Sequence, residues 1–282
     1  MSRQTALALS APVHAPREVV HRTQGRGGAP ITRLMSPSDL GQYLKPFVFL
    51  DLIDAPSSIA SAGNLHPHSG IATVTVLTEG NLRFDKGDWG TGLLDYGGVE
   101  WMRAGSAIWH GDEYRPDSAA RLKGFQLWVA LPEAMEMHEP EWQFVEASGI
   151  PSVGPAHLVV GAYRGKQSPV RSFDGLNYLL VTLAPDEAWT YETPDGHQVG
   201  WLSLSHGSLA GTDTYHAGEL IAFDRSDASI ALRAGPEGAT FVLGSAVPHP
   251  HELVLGYYSV HTSEANLQAG EARIAEVRHR YA

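Results

Sequence analysis

The sequence contains no cysteine. A disulfide framework and thiolate ligation are both excluded, so any metal must be held by nitrogen and oxygen ligands. Charge is sparse: Asp, Glu, Lys and Arg make up 18% of the chain against 43% hydrophobic residues, a balance that excludes a disordered protein. No stretch approaches the roughly 18 continuous apolar residues of a membrane span. The opening MSRQTALALSAPVHAP is a poor secretory signal, because its apolar stretch is short and breaks before prolines. The expectation is a soluble, cytoplasmic protein with no membrane partner. Positive charge is also scarce: residues 1–140 carry 12 Lys/Arg against 15 Asp/Glu, and residues 141–282 carry 8 against 16. A field of that sign opposes phosphate backbones, so no direct nucleic-acid binding is expected. Gly25-Arg26-Gly27-Gly28 is followed by neither Gly-Lys-Ser/Thr nor a helix start, which excludes a phosphate loop. Ser205-His206-Gly207 lacks the Gly-x-Ser-x-Gly context of an acyl-transfer nucleophile.

Glycine (30) and proline (18) are plentiful, and they punctuate short runs of β-forming residues. The pattern predicts an all-β protein, with regularly spaced strands closing into barrels or jelly rolls. At 282 residues the chain suits two domains, placed at 1–140 and 141–282, with the Pro- and acid-rich stretch 132–157 as the connection. Residues 1–16 read as a loose leader and Leu40–Leu52 as a buried apolar run. Ser263–Arg280, free of internal proline, reads as a short C-terminal helix. Both halves share the outline of apolar strands between glycine turns.

The chemistry concentrates in His66-Pro67-His68-Ser69-Gly70, followed by the alternating run Ile71–Leu77 and later by Trp109-His110-Gly111-Asp112-Glu113. Two histidines one residue apart on a strand point to the same side, so both imidazoles can aim into one barrel mouth. The bland alternative is two loop histidines beside a proline. With His110 and a nearby carboxylate added, the set suits a non-heme iron centre and several other divalent metals, with positions left open for water or substrate. The second half offers no matching arrangement, so one metal per chain is expected. His249-Pro250-His251 reads as a proline turn, and His197, His206 and His216 as turn or hydrogen-bonded core residues. Trp101, Trp109 and Trp128 read as core, with Trp109 also a candidate for the barrel wall beside Phe47 and Phe49.

The order PFVFLDLID, HPHSGIATVTVLTEG, GGVEWMRAGSAIWHGDE, FQLWVALP and GYYSVHT resembles the pirin family, a branch of the bicupins, over roughly residues 20–275. The resemblance rests on His-Pro-His-x-Gly with Thr-Val-Thr, together with Gln/Glu-Trp-Met-x-Ala-Gly before a His-x-acid. It implies two facing antiparallel β-barrels with a metal, usually iron, in the N-terminal one. The family's ligands fall on His66, His68, His110 and Asp112. Asp112 is also a candidate base, as is Glu113 if it turns inward. Three positions depart from the family pattern: Ala72 where pirins usually have glutamate, Asp112 where they have the longer acid, and Phe84 where histidine often precedes aspartate. The implied activity is that of a dioxygenase acting on flavonol-like (quercetin-type) or other enolic small molecules. The alternative is a non-enzymatic partner of a regulatory protein, with a structural or redox-sensing metal; in either case a monomer is expected.

Overall fold

A computed structural model describes residues 16–62 and 65–280. The leader expected over 1–16 therefore lies, apart from Pro16, outside the described residues. The architecture is all-β, with two antiparallel barrels. Seven strands form the first large sheet, in the spatial order Glu141–Val145, Val99–Arg103, Ile71–Glu79, Arg121–Ala130, Phe47–Pro56, Ile31–Met35 and Arg26–Gly28. Two small sheets belong to the same half: His66–His68 paired with Ile108–His110, and Leu82–Asp85 between Tyr114–Pro116 and Thr91–Leu94. The second large sheet has nine strands and is centred on Ile230–Ala246, flanked by Val199–Ala210 and Leu176–Leu183.

Alternation with period 2 sorts the side chains of these strands into three large buried layers, beside a small cluster of Leu77, Leu82, Leu94 and Leu122. Along Ile71–Glu79, Ala72, Val74 and Val76 join Tyr178, Trp201 and Val242 of the second sheet in a core between the barrels. Ile71 belongs instead with Phe49, Phe84, Met102, Trp128 and Trp142, which fill the first barrel. The second barrel is packed by Leu179, Leu202, Leu232 and Phe241, among others.

Within the apolar run Leu40–Leu52, the structure has a five-residue helix, Leu40–Leu44, before the strand begins at Phe47. Asp39 starts that helix by accepting a hydrogen bond from the Leu40 amide at 2.6 Å. The C-terminal helix spans Glu264–Val277, where Ser263 Oγ accepts from the Asn266 amide at 3.2 Å, and it ends in a 3-10 turn over Arg278–Arg280.

The two halves exchange their ends across the boundary expected at 140/141. Val19–Thr23 pairs with Leu220–Phe223 in the second sheet, where Arg22 meets Glu219 at 2.7 Å. Glu141–Val145 pairs with Val99–Arg103 in the first. The C-terminal segment returns to the first barrel: Ser259 bridges Ser69, and Trp109 Nε1 donates to the Ile274 carbonyl at 3.0 Å.

Candidate metal centre

The strand His66–His68 runs antiparallel to Ile108–His110, with His66 opposite His110 and His68 opposite Ile108. Residues 66, 68 and 110 share one face of this ribbon, so the three imidazoles converge. Their ring centroids lie 4.9 Å (His66–His68), 4.3 Å (His66–His110) and 5.0 Å (His68–His110) apart. One nitrogen from each lies within 4.8 Å of the other two. Nitrogens about 2.0–2.2 Å from a shared cation would sit about 3.0–3.5 Å apart, so the three rings need to close by about 1 Å or less each to grip one.

The outer nitrogens of two of these rings are already engaged. His68 Nδ1 lies 3.1 Å from the Tyr258 carbonyl, and His110 Nδ1 lies 2.9 Å from Glu113 Oε1. A carbonyl and a carboxylate only accept, so both rings carry their proton on Nδ1 and present an Nε2 lone pair inward. Both Nε2 atoms are buried and lack a hydrogen-bond partner. Leaving a buried acceptor unsatisfied costs about 1–3 kcal/mol, and two such atoms converging with a third imidazole match the donor set of a divalent cation. Burial, followed by the proximity of His110 and His66, holds the His68 imidazole well below the usual histidine range, in the neutral form that ligates.

The two acidic candidates occupy different places. The Asp112 carboxylate is exposed and pairs with Lys86 Nζ at 2.6 Å, so the structure brings together His66, His68 and His110 but not Asp112. Glu113 is buried behind His110, and its Oε2 accepts from the amides of Gly111 and Asp112 at 2.8 and 3.0 Å. Burial raises the Glu113 pKa, but the hydrogen bond and charge of His110 and the Gly111 amide outweigh it and hold the carboxyl at about 2. Glu113 is thus a fixed anion that orients His110, and so weak a base is poorly suited to take a substrate proton.

Glu100 went unassigned in the sequence, although it stands in the Glu-Trp-Met motif. Alternation along Val99–Arg103 sends Val99 and Trp101 to the inter-barrel core and Met102 into the first barrel. Glu100 shares the Met102 face. Its Oε2 accepts from Thr75 Oγ1 at 2.9 Å and from the Tyr114 hydroxyl at 3.2 Å, while its buried Oε1 has no partner. Burial and then the Glu113 charge push its pKa up to about 8, despite those two hydrogen bonds. Glu100 is therefore mostly protonated at neutral pH.

Trp128 and Tyr258 lie against the histidines, and further aromatic rings fill the first barrel. Trp128 lies edge-on to His68 at 4.7 Å and stacks on Phe49 at 4.0 Å, and Phe84 stacks on Phe144 at 4.7 Å. Two expected wall residues sit elsewhere. Phe47 packs edge-on against Trp201 in the inter-barrel core, and Trp109, on the ribbon face opposite His110, packs under the C-terminal helix with the Arg278 guanidinium over its ring. Ala72 also faces the inter-barrel core, so its departure from the family pattern leaves the site itself unchanged. His249 Nε2 lies 3.2 Å from the Leu131 carbonyl, and His197 is buried with its Nδ1 2.9 Å from Ser245 Oγ.

The family profile described as Pirin matches residues 29–129, a span that contains all three histidines, Glu100 and Glu113. The chain belongs to the pirin family. A Pseudomonas aeruginosa protein provisionally named a quercetin 2,3-dioxygenase is 29% identical to this pirin over 245 residues, 82% of this chain and 84% of that one. Among solved structures, a quercetin 2,3-dioxygenase from Acinetobacter baumannii superposes with a TM-score of 0.80 at 23% identity, covering 94% of this chain and 98% of its own. The bacterial pirin YhhW of Escherichia coli, solved in complex with nickel(II), has the same fold at a TM-score of 0.60 and 19% identity, over 82% of this chain and 98% of its own.

Proposed function

We propose that this pirin is a divalent-metal-dependent dioxygenase of flavonol-like or other enolic substrates, with one metal held by His66, His68 and His110 and with iron as the first metal to test. The observation that carries the reading is the pair of buried, unpartnered Nε2 atoms on His68 and His110, facing a third imidazole inside an aromatic barrel. The nickel(II) bound by YhhW supports a divalent metal in this fold, and the names of the Pseudomonas and Acinetobacter proteins supply the reaction class. When bound, the metal supplies Lewis acidity toward an enolic oxygen and redox chemistry toward dioxygen.

The remaining roles belong to the chain itself. Glu113 and the Tyr258 carbonyl fix the tautomer and plane of His110 and His68. Trp128, edge-on to His68 and stacked on Phe49, offers a flat, apolar wall that excludes water and suits an aromatic substrate. Glu100, mostly protonated at neutral pH and with its buried Oε1 unpartnered, acts as a hydrogen-bond donor to a substrate oxygen rather than as a base.

The test is iron-loaded protein mixed with quercetin in air. Dioxygen uptake should keep step with loss of flavonol absorbance, and His66→Ala should abolish both. Protein holding one iron per chain that turns over neither quercetin nor simpler enols would overturn the dioxygenase reading.

A further inference from the structure

The C-terminal strip Tyr258–His261 lies alongside the strand that carries His66 and His68. His68 Nδ1 donates to the Tyr258 carbonyl, Ser69 forms a parallel bridge with Ser259, and the Val260 amide donates to the Ser69 carbonyl at 3.2 Å. This strip is pinned by a chain of buried polar groups. His261 Nε2 is 2.9 Å from Ser69 Oγ, and His261 Nδ1 donates to Glu136 Oε2 at 3.1 Å. Glu136 also accepts from the Thr262 amide at 2.7 Å and from Asn266 Nδ2 at 2.8 Å. Ser69 Oγ contacts the Ser106 carbonyl at 2.7 Å, in the turn leading into Ile108–His110, so the chain of contacts reaches both ligand-bearing strands.

Ser69, His261 and Glu136 stand in the order of an acyl-transfer triad, but the geometry denies them that chemistry. Ser69 is fully buried, and the His261 and Glu136 side chains are 0% and 1% exposed. No scissile carbonyl can reach Oγ, whose hydroxyl is already engaged by the Ser106 carbonyl. What the network does have is a hydrogen-bond partner for every side-chain polar atom of Ser69, His261 and Glu136, the condition under which a buried polar cluster fixes one arrangement of the chain around it, although the neighbouring Ser259 Oγ and Thr262 Oγ1 are buried without one. The fit is tight: a Cβ at Gly70 would lie 2.0 Å from the Val260 carbonyl, and one at Gly270 would lie 2.2 Å from Ser69 Oγ.

We infer that His261 and Glu136 are positioning residues for the metal centre: they lock the C-terminal strip so that the Tyr258 carbonyl sets the tautomer and plane of His68. This rests on the reading of the three histidines as metal ligands. Loss of an outer-shell partner of a metal-ligating histidine typically costs about 10–100-fold in metal affinity.

The test is titration of the metal-free, full-length protein with nickel(II) alone, for the unmodified chain and for His261→Ala, Glu136→Gln and His66→Ala. The electronic spectrum of the cobalt(II) forms and the 15N signal of the His68 Nδ1–H in the metal-free forms are recorded alongside. We expect His261→Ala and Glu136→Gln to bind nickel about 10–100-fold more weakly, to shift the cobalt bands and to lose the protected His68 Nδ1–H signal. Should His261→Ala fail to fold, the nearly isosteric Glu136→Gln decides. Folded variants with unchanged nickel affinity and cobalt bands would overturn the positioning role, and His66→Ala losing nickel in the same series would leave the metal reading standing. Nickel bound by His66→Ala as tightly as by the unmodified protein would overturn the metal reading itself.

Discussion

Glu113 accepts from His110 Nδ1 and from two backbone amides, so neutralising it removes both an orienting partner and a buried charge. Glu113→Gln is expected to weaken nickel(II) binding about 10–100-fold. Asp112→Asn, at an exposed carboxylate, is expected to leave the affinity unchanged. Calorimetric titration checks both. Sequence spacing made the three histidines legible because residues 66, 68 and 110 lie on true strands. It failed at the acids because the strand ends at His110: Gly111 has φ +126°, the chain turns, and the i+2 rule no longer says which carboxylate returns to the ring. The same buried acids predict a pH profile. Glu113, held at about 2, contributes stability that is full above its ordinary value of 4.5 and is lost as pH falls through about 2. Glu100, raised from 4.5 to about 8, works in the opposite sense: the folded protein binds the extra proton, and stability falls as pH rises across that window. Glu100→Gln should flatten the slope between about pH 4.5 and 8, with a gain of a few kcal/mol at most at pH 8, read as a rise in urea midpoint at pH 8 but little change at pH 4.

At the scale of elements, the two short strands that carry the ligands depend on backbone positions more than on side chains. Gly70 has φ +73°, and its Cβ position lies against Val260, so Gly70→Ala combines a strained dihedral with a clash. We expect it to displace the strip 258–261 and to reduce nickel affinity more than Ser263→Ala does. The latter removes only a helix cap, at a cost of about 1 kcal/mol of stability. Thermal unfolding and nickel titration of the two variants, side by side, separate the effects. The C-terminal helix was legible because it is long and free of proline, with a serine at its cap. The helix Leu40–Leu44 was not, since five residues carry too little periodicity to stand out from the apolar strand that follows.

For the whole molecule, the inter-barrel core decides cooperativity. Phe47 and Trp201 meet edge-on there at 5.3 Å, each from a different barrel. Phe47→Ala should cost about 3–5 kcal/mol and lower a single denaturation transition seen equally by tryptophan fluorescence and by far-ultraviolet dichroism. Two separate transitions would show that the barrels unfold independently. The all-β character was legible in glycine-spaced apolar runs, because turns and alternation are local properties. The exchange of ends was not: Val19–Thr23 finds its partner some two hundred residues away, and no local pattern encodes that pairing.

That exchange has a consequence for synthesis. The Tyr258 carbonyl lies 190 residues downstream of His68, the residue whose imidazole it orients. While a ribosome extends the chain, the three histidines emerge early, yet the strip that sets one of them arrives only after the whole second barrel has been made. The first barrel is thus begun first and finished last. A metal captured by the nascent chain before that strip is made would meet a His68 without its Tyr258 partner, so a ribosome-bound intermediate stalled before residue 258 should hold nickel weakly.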